Sequence, residues 1–374
     1  MPEVIVVGAG PVGTLLSAEL ARRGVDVAVV ERRADPSEGS RAIGVHAPVL
    51  AALEESGATE RLLAQAQRVS RGQARSGGRV LGVVRFDRLS RRFPFVATLP
   101  QPATHRALAA DAPAPIIGEV TALRGGGRPA VVFRTESGEA ELAARVVVLA
   151  GGPRSRALLY RPEAVRIQPY PDRYVMADVG TGGPEYAVVH LDREGVLESF
   201  PLPDGQRRYV TPAPSGLDDP AARAAVLRAA LHARGEHAAA EEIGAADGFA
   251  IRRTVAPRMR RGALLAVGDA AHEVSPMGGQ GMNLGLLDAV TLAPLVARWV
   301  RSGEAPDADL ARWERRRRAS ARVSGAIASM NTFLGRPASA RMDAVRRTAM
   351  RAALATPAGT LLAHAYAMGF DRDA

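Results

Sequence analysis

One carboxylate set among glycines is the most chemically suggestive feature of this chain. Gly268-Asp269-Ala270-Ala271-His272 is followed closely by Pro276-Met277-Gly278-Gly279-Gln280-Gly281-Met282-Asn283. An apolar run, Ala263 to Val267, leads into the Gly-Asp pair, and Leu284 to Val300 beyond it has helical character. A turn of this kind gathers free backbone N–H groups, the positive end of a helix and a carboxylate in one place. It suits a ligand that carries both hydroxyls and an electron-rich ring edge. The alternative is a glycine-rich connection in which Asp269 merely caps a helix, and that explains neither the Gly278-Gly279 pair nor Gly281.

A second constellation lies at the start of the chain. The β-branched run Val4 to Val7 opens onto Gly8-Ala9-Gly10-Pro11-Val12-Gly13, Thr14 to Arg23 has helical spacing, and Val25 to Val30 forms a second strand ending at Glu31. Strand, glycine loop, helix, strand and acid in this order make the dinucleotide-binding fingerprint. Gly8 permits the tight turn, Gly10 admits a pyrophosphate to the backbone, and Gly13 lets the helix lie close to the sheet. Glu31 falls where a carboxylate accepts hydrogen bonds from ribose hydroxyls. FAD fits better than NAD, because the two motifs answer two ends of one molecule: FAD needs a carboxylate at its ribityl chain and N–H donors at its pyrimidine edge. The first-turn N–H groups of Met282 and Asn283 are placed to stabilise negative charge on that edge.

Together these residues resemble the class A flavoprotein monooxygenases, the family of p-hydroxybenzoate hydroxylase and the aromatic-polyketide hydroxylases. The resemblance runs from Val4 to about Arg318 and includes His272, Pro276 and the segment Gly278 to Asn283. Ser40-Arg41-Ala42-Ile43 resembles the stretch whose arginine lies beside the isoalloxazine, and Pro100-Gln101-Pro102 resembles the segment whose glutamine contacts the ribityl chain. The resemblance implies an α/β fold: an FAD-binding Rossmann-like (GR2-type) domain, an interleaved antiparallel substrate sheet and a C-terminal helical region. It also implies an oxidoreductase of antibiotic-type biosynthesis that uses NAD(P)H as transient reductant and O2, passing oxygen from a flavin C4a-hydroperoxide to an aromatic or polyketide-like substrate. The cofactor contacts it implies are Gly8, Gly10, Pro11, Val12, Gly13, Glu31, Arg32, Arg41, Gln101, Gly268, Asp269, Pro276, Gly279, Gly281, Met282 and Asn283. Arg41 beside the ring and the Pro276 carbonyl near N5 are the expected catalytic contributors.

The chain departs from that family at one position. Leu149-Ala150-Gly151-Gly152-Pro153-Arg154-Ser155 stands where the family carries an Asp-Gly pair, so Gly151 occupies the aspartate position. Either water or a neighbour substitutes for the missing carboxylate, or reduction by NAD(P)H is impaired or unnecessary. The second possibility keeps open a flavin-binding cyclase or isomerase without net redox turnover. A flavin-free accessory protein is a third reading.

Composition frames these motifs. The chain has 374 residues, 47% of them apolar, enough to bury a sizeable core. It has no cysteine, which excludes thiol nucleophiles, redox disulfides and Cys-ligated zinc. The net charge of +10 comes from 49 basic residues that are all arginine. No nucleic-acid motif accompanies them. Arg315 to Arg318 is expected to be a solvated helix face. None of the seven histidines has metal-ligand spacing, so no metal is expected. A chain that opens straight into a strand, with no apolar run approaching the ~20 residues of a membrane span, leads to the expectation of a soluble cytoplasmic protein, monomeric or homodimeric.

The organisation expected is a discontinuous FAD-binding domain (1–68, 102–165 and 256–330), a substrate sheet (69–101 and 166–255) and C-terminal helices (331–374). Tyr174 to Val179, Tyr186 to Leu191, Val196 to Pro201 and Arg207 to Thr211 read as antiparallel hairpins separated by Gly/Asp turns. Tyr174, Tyr186, His190 and Tyr209 on this sheet are the candidate substrate contacts; alternation alone does not say which face carries each. Ala221 to Ile243 reads as one helix on the sheet's outer side.

Overall fold

The apolar strand Val4–Val7 is buried along its whole length, as a strand covered on both faces must be. A computed structural model describes residues 1–34 and 42–371. In it Val4–Val7 lies at the centre of a six-stranded sheet, flanked in parallel by Val27–Glu31 and Val146–Leu149, with Leu264–Ala266 beyond the latter. The helix Pro11–Arg22 packs with the long helix Gln280–Ser302, and both bury leucines in the main core. A three-stranded antiparallel sheet, Glu119–Arg124, Ala130–Thr135 and Gly138–Ala143, returns the chain to Val146–Leu149.

The second large sheet has eight strands. In order they are His272–Glu273, Asp247–Val255, Gln168–Val179, Arg207–Ala213, Gly195–Pro201, Ala187–Asp192, Arg71–Ser76 and Arg79–Arg85. Ala187–Asp192, Gly195–Pro201 and Arg207–Ala213 form two successive antiparallel hairpins as expected, whereas Gln168–Val179 pairs with Arg207–Ala213 and Asp247–Val255, and Ala187–Asp192 pairs with Arg71–Ser76 in parallel. Val96–Thr98 joins Gly44–Val45 and Gln67–Val69 in a small sheet of its own. The segment at Asp269 is a seam between the two large sheets: Leu264–Ala266 ends in the parallel sheet, Gly268–Ala270 makes one tight helical turn, and His272–Glu273 edges the antiparallel sheet.

Three sequence expectations need correction. The segment 221–243 is two helices, Pro220–His232 and His237–Glu242, separated at Gly235, whose φ of 78° lies in the left-handed region. The boundary expected at 331 falls inside the helix Asp307–Leu334, which is followed by Ala340–Ala355 and Ala358–Tyr366. Within Arg315 to Arg318, Arg317 is fully buried, its guanidinium held by the Asp288 and Asp371 carboxylates and the Leu284 carbonyl. The helix Gln280–Ser302 does have the length and mean hydropathy (1.2) of a membrane span, but 67% of that window is buried inside the fold. It is therefore read as a core helix.

Candidate functional site

The glycine loop is built by contact between backbones. Gly8 adopts φ +104° and donates its N–H to the Val30 carbonyl at 2.8 Å. A Cβ on Gly8 would stand 2.5 Å from the Gly151 Cα, and one on Gly13 would stand 2.0 Å from the Gly8 carbonyl oxygen. Gly10 is different: among the described residues a Cβ there meets nothing within 4 Å. Gly10 is the N-cap of Pro11–Arg22, it offers no capping side chain, and Pro11 occupies the first helical position. The N–H groups of the first turn have no intrahelical partner and lie at a positive helix end. Glu31 supports the loop from the neighbouring strand, accepting from the Ala9 N–H at 2.8 Å and the Arg33 N–H at 3.0 Å. Arg32 is exposed and lies 4.0 Å from Glu119.

Val12 joins this loop to the distant motif. A Cβ on Gly268 would lie 3.1 Å from a Val12 methyl, and one on Gly285 would lie 2.6 Å from it. Both positions must be small for the two turns to meet, and Gly268 also adopts φ +59°. Asp269 follows it with an exposed side chain. Pro276 is half-buried, and its carbonyl accepts from Gly279 N–H at 2.8 Å, closing the turn. Gly278 (φ +103°) and Gly279 (φ +69°) bring the chain to the start of Gln280–Ser302, where Gly279 caps without a side chain. Gly281 and Met282 are half-buried in the first turn of that helix.

The Asn283 side chain is fully buried. It accepts from His46 N–H at 2.9 Å and donates to the carbonyls of Gly44 and Gly279, both at 2.8 Å. Its backbone N–H stays in the first turn while its amide ties the 44–46 segment to the Gly279 turn. The His46 ring lies 3.6 Å from the Cβ position of Gly279, and burial pushes it down to about 4, so it is neutral at physiological pH.

Behind the turn lies a buried ionic network. Asp288 accepts from Gly268 N–H at 2.9 Å, from Arg317 Nε at 2.8 Å, and pairs with His272 Nε2 at 2.7 Å. Burial works to raise the Asp288 carboxyl, and His272 and Arg317 outweigh it, leaving it below its ordinary value. Arg156 adds a further brace, donating to the carbonyls of Asp269 (2.6 Å) and Ala270 (3.2 Å) and pairing with Glu273 at 2.8 Å. His272 and Arg317 thus position the Gly268 turn rather than face a ligand.

The candidate substrate residues separate onto two faces of the eight-stranded sheet. Tyr174 is buried on the face that also carries Met176, Val210 and Phe249 and packs against Met277 beside the Gly278 turn; its ring stacks on Phe249 at 5.8 Å. Tyr209 lies on the opposite face with Val175 and Leu197 under the helix Pro220–His232, and its hydroxyl donates to Glu236 at 3.3 Å. His190 pairs across the strands with Leu197 and so shares that outer face. Tyr186 precedes the strand, with Arg71 over its ring at 4.7 Å. Period-2 alternation is the reason: neighbours one residue apart point to opposite sides. Of the four, Tyr174 shares the face that meets Met277, Tyr209 and His190 lie on the other face, and Tyr186 lies just before the strand Ala187–Asp192.

Gln101 opens the helix Gln101–Leu108. Arg41 lies outside the described residues. Sequence reasoning missed His105 as an individual contributor, although its Nε2 lies 2.8 Å from the Ala9 carbonyl and 3.0 Å from Thr14 Oγ1. It also missed Asp288, Arg156 and His46, which no motif spacing marks. Among the described residues no group of three or more His, Cys, Asp or Glu side chains could hold a metal ion.

A parallel nucleotide-binding sheet joined through a glycine-rich seam to an antiparallel sheet is the architecture of the class A flavoprotein hydroxylases. The match to p-nitrophenol 4-monooxygenase PnpA from Pseudomonas putida DLL-E4 has a TM-score of 0.86 at 20% identity and covers 100% of this chain and 98% of that one, which shows the fold. The chain belongs to the FAD binding domain family, whose model matches residues 1–324. It is 31% identical over 316 residues to 6-methylpretetramide 4-monooxygenase of Streptomyces rimosus, covering 80% of this chain and 56% of that protein. It is 30% identical over 345 residues to rifampicin monooxygenase of Rhodococcus hoagii, covering 85% and 68%. The chain thus spans little more than half the length of the first of these relatives.

Proposed function

We propose that this chain is an FAD-dependent monooxygenase that hydroxylates or epoxidises an aromatic or polyketide-like small molecule, using NAD(P)H and O2. The observation that carries the reading is the meeting of two glycine turns at Val12, in a chain of the FAD binding domain family. The residues fit the cofactor: Gly10 opens onto free space where its loop neighbours are tightly packed, and two helix N-termini converge on the seam. Bound FAD supplies hydride acceptance from the nicotinamide and activation of O2.

The N–H groups of Val12 and Gly13, beside Gly10, hold the pyrophosphate; Pro11 fixes the helix start without needing a donor. Glu31 keeps lone pairs for ribose hydroxyls, with Arg32 beside it. Asp269 and Gln101 hold the ribityl chain. Gly279 and Gly281 allow the ring edge to approach, and the N–H groups of Met282 and Asn283 stabilise negative charge there. Pro276 shapes the turn. The inner face of the eight-stranded sheet, with Tyr174, covers the ring and excludes water. The FAD-binding and substrate parts follow the division read from the sequence, except that Val96–Thr98 goes with Gly44–Val45 and Gln67–Val69, and the last helical unit begins after Leu334. Large polycyclic aromatics are the favoured substrates, because the named relatives act on pretetramide and rifampicin. The chain is proposed to work in the cytoplasm, as a monomer or homodimer.

Gly151 favours a second reading, a cyclase or isomerase with FAD bound but no net turnover. The site carries no carboxylate at that position, where the nearest atoms a Cβ would meet are those of the Ser155 side chain, from 3.0 Å, and the Val7 carbonyl at 3.5 Å. Anaerobic mixing of the yellow protein with NADPH or NADH and an aromatic polyol tests the two. Bleaching of the flavin, followed on aeration by a product heavier by one oxygen, is expected. A flavin that stays oxidised with both nucleotides contradicts the monooxygenase reading.

A further inference from the structure

Glu198 stands in the middle of the inner sheet face, on the strand Gly195–Pro201. Its cross-strand neighbours are Val189 and Val210, and Val210 pairs in turn with Met176. Only 7% of Glu198 is exposed. Among the described residues no side-chain hydrogen bond or ion pair reaches its carboxylate. A buried carboxylate without a partner is strongly unfavourable, and burial pushes this one up to about 7.

Other unsatisfied polar atoms lie around it. Among the described residues neither the buried Tyr174 hydroxyl nor the buried Asn331 Nδ2, which lies 3.3 Å from the Cβ position of Gly278, has a hydrogen-bond partner. The Tyr366 ring lies 3.7 Å from the same position. Burial raises both Tyr174 and Tyr366, and the Glu198 charge raises each further, so the carboxylate is within electrostatic reach of both phenols. Of the charged groups on this side, Arg208 holds Asp178 at 2.6 Å, Arg336 holds Asp172 at 2.8 Å, and Arg253 donates to Ser329 Oγ at 3.5 Å. A carboxylate acceptor and two donors thus lie on the side of the sheet that meets Met277, without side-chain partners among the described residues.

We propose that Glu198 determines substrate choice by accepting a hydrogen bond from a phenolic or enolic hydroxyl of the aromatic substrate, with Tyr174 and Asn331 donating to an oxygen on the same edge. This rests on the aromatic-hydroxylase reading above. As the O–H bond of the substrate lengthens, the proton moves to a Glu198 oxygen; the pair keeps one negative charge, now on the phenolate, and the ring becomes more electron-rich. No oxidant or reductant enters this step.

The test uses FAD-loaded protein and 2-naphthol, with 2-methoxynaphthalene as a probe of similar shape that lacks the donor. Binding is read from perturbation of the flavin absorbance between about pH 6 and pH 8, a range that spans the Glu198 carboxyl. For the wild-type protein, 2-naphthol is expected to bind more tightly as pH rises, and more tightly than the methoxy probe. Glu198→Gln should abolish the pH-dependent gain and weaken 2-naphthol roughly tenfold at about pH 8, leaving FAD occupancy and binding of the methoxy probe unchanged. Glu198→Leu, which removes the acceptor, serves as the second variant should Gln fold poorly. Equal affinity and an equal pH profile in wild type and variants overturn the proposal while the flavin remains bound, and so does failure of wild type to prefer 2-naphthol. A colourless protein that takes up no FAD overturns the underlying reading instead.

Discussion

Asp288 and Glu198 are both buried carboxylates, and they differ in what surrounds them. Asp288, behind the Gly268 turn, has three partners, Gly268 N–H, His272 and Arg317, and is held below its ordinary value. Glu198, on the inner sheet face, has apolar neighbours and is pushed up to about 7. A buried charge satisfied by the protein is part of the scaffold. One left unsatisfied is kept for a ligand, at the expense of stability.

The largest expected effect separates these two roles. Asp288→Ala leaves Arg317 buried without one of its two carboxylates and frees the Gly268 turn, and should destabilise by ~3–5 kcal/mol, measured by urea unfolding. The Asp288 contribution is fully present above the unfolded carboxylate pKa of about 3.9 and is lost as pH falls through its lower folded-state value. Wild type should therefore lose stability faster than the Ala variant on acidification. Gly13→Ala comes next: its Cβ would stand 2.0 Å from the Gly8 carbonyl oxygen, and a loss of about 3 kcal/mol is expected, with the FAD loop displaced.

Glu198→Gln should move the other way. A carboxyl raised to about 7 in the folded state binds more protons there than in the unfolded chain, so it subtracts stability progressively as pH rises from the unfolded value toward about 7. At about pH 8 the Gln variant should be more stable by on the order of 3 kcal/mol, and near pH 4 the two melting temperatures should coincide. A Gln variant no more stable at either pH would erase the contrast with Asp288. The smallest effect on the fold is expected from Gly10→Ala, within ~0.5 kcal/mol, because among the described residues nothing beyond the chain neighbours lies within 4 Å of the new methyl group.

Both glycine turns were legible in the sequence because backbone geometry dictated them. Gly8, Gly268, Gly278 and Gly279 adopt positive φ, and Gly13 has no room for a side chain; these demands leave glycine as their mark. The turns of the substrate sheet were legible for the same reason, as with Asp204 and Gly205 at φ 58° and 69°. What supports the turns was not. Asp288, Arg317 and Arg156 act across tens or hundreds of positions and leave no local spacing, so Arg317 passed for part of a solvated basic run. The face of the sheet was equally hidden, since alternation fixes that Tyr209 and Val210 oppose one another without saying which meets the flavin side. Glu198 was overlooked because a single glutamate in an apolar strand carries meaning only once its neighbours are known.

The central claim is that the two turns grip one FAD, with Gly10 left bare for its pyrophosphate. Titration of flavin-stripped protein with FAD, for wild type and Gly10→Ala side by side, tests it most directly. The expected result is one FAD per chain for wild type and affinity at least about tenfold weaker for the variant, with the melting temperature of the stripped protein unchanged. A wild-type chain that takes up no FAD, or a variant that binds it as tightly, would contradict the account.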